Sequence, residues 1–322
     1  MIEGGLAVLL NILAIATITF VLSNIAVSAV VTLLAQRFVG LEVQSRKVIL
    51  WLLVTAPWFA VFCVSICFVY PFYYTNAFFN DNSMAHWHHM TSFELLSWHS
   101  VTLVIAFSYI AYVFINKIVT LIKHKNELKL LTSYSQQLEQ NTYKIDSPMP
   151  NAFTSGFFTK SCFVTSGILD KTTADEQDII FRHEQAHAAY SDPLKKWVFS
   201  IFSAFFLPFI ANRLKLHMTL AMEQAADLKV LNDGTSPTLV ASTLVKIAKL
   251  NANNQQGIVL NGDLVANFGI EVLEQRVYFL LGQLELTPAN RLLTFMFLAV
   301  TVVLSMLSID GVHHLMETVF NH

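Results

Sequence analysis

Long apolar runs alternate with shorter polar segments along the chain. Three fall early, at about 6–34, 48–70 and 101–122, and a fourth lies near the end, at about 292–309. Each approaches or exceeds the roughly 20 apolar residues that a helix needs to cross the hydrocarbon core of a bilayer. The first is longer than required, which predicts tilt or an interfacial end. It carries Glu3 and no basic segment ahead of it, and far exceeds the apolar run of about 7–15 residues in a signal peptide. It therefore reads as a retained membrane helix. Residues 123–290 mix polar and apolar positions instead. The pattern predicts a mainly α multi-pass membrane protein in three parts. These are a membrane domain over 1–122 with three spans, an α+β domain over 123–290, and a fourth span with a short tail over 291–322.

Composition agrees. The chain is 54% hydrophobic and 13% charged, against roughly 25% charged for a soluble globular domain. The net charge of −2 gives no electrostatic reason to expect direct nucleic-acid binding. Of three cysteines, Cys63 and Cys67 lie in an apolar run and Cys162 stands apart, a pattern of packing residues rather than a disulfide framework or thiolate zinc site. Basic residues set the orientation. Arg37, Arg46 and Lys47 lie between the first two spans, and Lys117, Lys123, Lys125 and Lys129 around the end of the third, whereas 71–100 has no Lys or Arg. The positive-inside rule places the first loop and the 123–290 domain in the cytoplasm, and both termini and the second loop outside.

Within the domain, 123–143 is polar and predicts a helix, which Ser147-Pro148-Met149-Pro150 breaks. Residues 152–165 are rich in Phe, Val and Thr around Gly156 and predict a short hairpin. Thr173 with Glu176 three residues on is a capping box that opens the next helix, and Asp192-Pro193 closes it.

That helix carries His183-Glu184-Gln185-Ala186-His187, an HExxH motif. A separation of four puts both imidazoles on one helix face, one turn apart, where they can share a Zn²⁺ ion. Glu184 projects beside the metal without ligating it, free to accept a proton from the attacking water and deliver it to the leaving amine. A catalytic zinc needs a third protein ligand and an open position. Glu223 supplies the ligand, and Asp227, four residues on along the same face, would hydrogen-bond a ligating imidazole. The alternative is a solvated acidic face. One stretch, 197–211, is apolar but only about 15 residues long and contains Pro208. A single crossing there would put His187 and Glu223 on opposite sides of the bilayer. The stretch must therefore lie along the interface, re-enter, or pack on the domain.

The ordered set Asn151-Ala152-Phe153, Cys162–Ser166 with Gly167, HEQAH with Asp192-Pro193, and Glu223-x-x-x-Asp227 resembles the gluzincin domains of membrane metallopeptidases. The resemblance covers nearly the whole chain and is nearest to the BlaR/MecR-type antirepressor peptidases of the bacterial cytoplasmic membrane, with HtpX and CAAX proteases next. It implies one catalytic Zn²⁺ and an edge strand at 151–156 that receives substrate as an added strand. It also implies a winged-helix repressor of the BlaI type as substrate, with self-cleavage as a companion event. Arg276 stands where such proteins often have a late arginine, either steadying the oxyanion or pairing at the surface. The chain departs from the beta-lactam sensors after the fourth span, where 310–322 holds no Ser-x-x-Lys site. Two other functions compete: a quality-control peptidase of the HtpX/CAAX kind, and a non-catalytic receptor with a structural zinc. Intact Glu184 argues against the last, since a structural site has no use for a general base. Outside, His86, His88 and His89 form a candidate metal- or pH-sensing cluster, or simply decorate the membrane interface.

Overall fold

The computed structural model describes residues 1–73, 91–254 and 263–320. His86, His88 and His89 lie outside them. A strand β1 (Ile2–Glu3) leads into helix α1 (Gly5–Leu34), and α2 (Val43–Tyr73) follows. Strand β2 (Ser92–Phe93) then pairs antiparallel with β1 just before α3 (Trp98–Tyr134). Among the described residues, three helices are long and apolar enough to cross a membrane: Gly5–Leu34, Val43–Val69 and Trp98–Tyr134. The β1–β2 pair ties the N-terminus to the segment before α3 at one end of this bundle. A bridge between Leu41 and Thr287 ties the first loop to the approach to α10 (Arg291–Phe320) at the other. The expected fourth span falls within α10, but its apolar stretch there is the shorter Phe295–Ser305. It packs beside α1, where Ser23 and Ser305 share a hydrogen bond of 2.9 Å.

After the third span the expected polar helix ends early. The α3 helix stops at Tyr134, and two strands follow, β3 (Gln136–Glu139) and β4 (Thr142–Ile145), with Asn141 in a left-handed turn between them. The strands β5 (Ala152–Ser155) and β6 (Ser161–Thr165) form the predicted hairpin. The sheet order is β3-β4-β6-β5, so β5 is an edge strand. A short helix α4 (Ser166–Leu169) leads to α5 (Ala174–Tyr190), which opens with the capping box of Thr173 and Glu176. Then come α6 (Asp192–Ser203), α7 (Pro208–Asn232), α8 (Pro237–Asn254) and α9 (Asp263–Leu280).

The 197–211 stretch is the tip of an α6–α7 helical hairpin. Phe199, Ile210, Leu214, Met218 and Met222 from this hairpin form one buried cluster with Val27 and Val31 of α1 and Leu50, Leu53 and Val54 of α2. Each such side chain contributes roughly 1.5–3 kcal/mol on burial, enough together to fix the hairpin to the membrane helices. Arg46, one of the basic residues between the first two spans, is 0% exposed. Its guanidinium donates to the carbonyls of Val39 and Leu41 and, at 2.9 Å, to Oε1 of Gln224 on α7. Gln224 in turn donates to the carbonyl of Gln275 on α9 at 3.4 Å.

Candidate metal and active site

Four helices deliver the site. On α5, His183 and His187 stand one turn apart with Nε2 atoms 3.1 Å from each other. Glu223 on α7 places Oε2 at 3.3 Å from the first and 3.5 Å from the second. Ligand atoms at about 2.0–2.1 Å from a tetrahedral zinc stand about 3.3–3.4 Å apart, so this triangle fits one face of that coordination shell. The hydrogen bonding points the same way. His183 Nδ1 faces Asp227 Oδ1 at 3.1 Å, and His187 Nδ1 faces Asp192 Oδ2 at 2.7 Å. With a metal bound, each Nδ1 would keep its proton for the carboxylate behind it and each Nε2 would present a lone pair. Two lone pairs and a carboxylate oxygen converging in this way suit a metal cation between them. His183, His187 and Glu223 form one group able to hold a metal ion.

Local sequence explains the convergence. Tyr190 ends α5, and Ser191 adopts a left-handed conformation (φ 57°) before Asp192 and Pro193 start α6. That reversal folds Asp192 back onto His187, five residues earlier. Asp227, four residues beyond Glu223 on α7, is 0% exposed and reaches His183. Arg276 on α9 is not a surface arginine. It is nearly buried, with Nε and Nη2 donating to the two oxygens of Asp227 at 2.8 and 2.7 Å, and Nη1 lying 3.1 Å from Glu223 Oε2. Lys196 on α6 reaches Glu223 Oε1 at 3.3 Å. Glu184 is buried in the same cleft, and its Oε2 accepts from the Thr154 hydroxyl at 2.8 Å.

Sequence reading brings His183, Glu184, His187, Glu223 and Asp227 to this place, and the structure brings them together. It missed Asp192, Lys196 and Thr154. Only Asp192 left a sequence signal, as an acid fixed by a following proline just past the helix that bears the second imidazole.

Electrostatics suit a cation. Burial alone would lower the His187 pKa, but hydrogen bonds to Asp192 and Glu223 outweigh it and raise it to about 9. His183 is raised despite burial by its bonds to Asp227 and Glu223. Burial would raise Glu223, yet its bonds to both imidazoles and the Arg276 charge hold it well below the usual carboxylate range. Without metal, His187 is thus protonated at pH 7 and must give up that proton to become a ligand. Zinc affinity should therefore rise with pH up to about 9. Titration calorimetry at pH 7 in buffers of different ionisation enthalpy should report release of about one proton per zinc or more. No release would contradict this electrostatic picture.

When bound, zinc supplies Lewis acidity, polarising a carbonyl and lowering the pKa of water to about 7. The protein's own contribution is an oriented cluster lining a cleft of about 760 Å³. The cleft is bordered by Asn151, Ala152, Phe153 and Thr154 on one side and by Val240, Leu244 and Ile247 on another. An HExxH helix, a downstream glutamate ligand and an adjacent edge strand define a gluzincin-type zinc metallopeptidase. Residues 123–280 match Peptidase family M48. By its catalytic domain the protein is an M48 zinc metalloendopeptidase, and its apolar helices make it membrane-associated.

Asp192 offers a direct check on the ligand support. Asp192→Ala should weaken zinc affinity or activity by about 10–100-fold, the usual cost of removing a carboxylate behind a ligating histidine. Chelator competition and peptidase assays on the purified variant would measure it, and parental values in both would remove Asp192 from the site.

Proposed function

We propose that the protein works on the cytoplasmic side of its membrane, taking an extended segment of a cytoplasmic or membrane protein as an added strand on β5 and cutting it beside Glu184. The position of β5 carries this reading. It is the last strand of the sheet, and Asn151, Ala152 and Phe153 border the cleft that holds His183, Glu184 and His187. The Thr165 N–H donates to the Asn151 carbonyl, so 151 and 165 form a hydrogen-bonded pair. Alternation along an antiparallel ladder then turns the backbone groups of Ala152 and Thr154 to the outer edge. A peptide pairing there gains main-chain bonds with little demand on its sequence. Glu184 takes the proton of the attacking water and passes it to the leaving amine. Arg276 is a positioning residue, since three of its nitrogens are engaged by Asp227 and Glu223. The basic residues flanking the spans support the cytoplasmic orientation.

Resemblance to the BlaR/MecR-type peptidases supports a role in signal transduction, with a winged-helix repressor of the BlaI type as substrate. The family match also suits a quality-control peptidase of the HtpX/CAAX kind. Substrate trapping with full-length Glu184→Ala separates the two. Enrichment of one winged-helix repressor over the parent protein supports the first, and enrichment of a broad set of membrane proteins supports the second. Equal capture by variant and parent would overturn the peptidase reading.

A further inference from the structure

We infer that the tip of the β5–β6 hairpin is a membrane anchor in its own right, with Phe158 seated in the headgroup–acyl boundary of the bilayer. The helix α3 sets the level. Its side chains Ile115, Ile118, Val119 and Ile122 are exposed and apolar, as a lipid-facing surface must be, and at Lys123, Lys125 and Lys129 the sequence turns basic. The bilayer surface therefore crosses α3 close to residues 122–123. At that level the hairpin is attached to α3. His124 Nε2 lies 3.0 Å from Ser155 Oγ, and the His124 and Phe157 rings are 5.9 Å apart.

A second helix gives the same level. Along α3, Tyr109 donates to the Ala204 carbonyl at 2.8 Å and Lys117 to Ser200 Oγ at 2.9 Å. The helix α6 thus runs antiparallel beside α3, with its C-terminal end deep in the bundle. Near its middle, just after Lys195 and Lys196, it carries Trp197, whose ring lies 5.6 Å from Phe157. Phe157 is held between α3 and α6 at the point where both leave the apolar layer.

The next residue, Phe158, is 92% exposed. Its turn is made by Gly156 at φ +102°, where an added Cβ would come within 2.0 Å of the Thr159 carbonyl oxygen. Lys160 closes the turn with a bond to Ser191 Oγ of 2.7 Å. A phenylalanine fully offered to water on a rigid turn is costly. The same ring beside lysines at the membrane surface matches the chemistry of an interfacial anchor, an apolar body beneath a cationic rim. One consequence bears on the proposed function and rests on it. Strand β5 ends at this turn, so the receiving edge is held at headgroup level, within reach of an extended segment emerging from the bilayer.

The test uses full-length Phe158→Trp in nanodiscs of phosphatidylcholine, with and without bromine on the acyl chains near the ester. The fluorescence added over the parent protein should drop by about twofold or more in brominated lipid, while acrylamide in the water quenches it little. Added fluorescence untouched by brominated lipid and readily quenched by acrylamide would overturn the anchor. The readout needs neither substrate nor turnover, so its failure leaves the peptidase reading standing, and loss of peptidase activity alone leaves the anchor standing.

Discussion

Replacing Glu184 with alanine should leave zinc bound while lowering kcat/KM by about 10²–10⁴-fold or more, the usual cost of losing a positioned general base. The metal is held by His183, His187 and Glu223, and none of those contacts passes through the Glu184 carboxylate. That carboxylate is instead held by the Thr154 hydroxyl from the edge strand. Metal analysis and a peptidase assay on the same preparation decide the matter. Loss of zinc from Glu184→Ala would show that the side chain is structural, and retention of activity would remove it from proton transfer.

Glu223→Ala should act in the opposite order, with metal lost first and activity following. The substitution removes one corner of the ligand triangle. It also strips the nearly buried Arg276 and the half-exposed Lys196 of a shared anionic partner. Breaking a buried ion pair by removing one partner costs about 3–5 kcal/mol, so the variant should be destabilised as well as depleted of zinc. Normal zinc content would mean that another group is the third ligand. Glu223→Gln separates the two effects. It keeps the shape, and its single carbonyl oxygen can still accept from one of the two cations, but it offers zinc a neutral ligand. Its folding should suffer less than that of Glu223→Ala while its metal affinity stays low.

The parts of the site that were legible in the sequence are those set by helix periodicity. His183 and His187 are four apart, as are Glu223 and Asp227, and one helical turn brings each pair onto a common face. The hairpin at β5 and β6 was legible because its residues favour strands and Gly156 marks the turn. Asp192 was hidden because its reach to His187 depends on a left-handed serine, a conformation that Ser191 does not announce. The pair β3 and β4 was hidden because Gln136 to Glu139 are all exposed, leaving no alternation of apolar and polar positions to betray a strand. The α6–α7 hairpin followed only from exclusion, since one metal cannot be ligated from both sides of a bilayer. Its packing against α1 and α2 is a tertiary fact that a run of apolar residues shares with a membrane span. Arg276 was visible only as a late arginine, because its carboxylate partners come from a helix some 50 residues earlier.

Arg46 has a consequence for how the molecule comes apart. A guanidinium sealed from water cannot be withdrawn without stranding its own donors, two carbonyls and the amide of Gln224, the immediate neighbour of a zinc ligand. The start of the second membrane helix and the middle of α7 should therefore open as a single cooperative unit. Amide protons there would exchange with solvent at a common free energy, and zinc would slow both together.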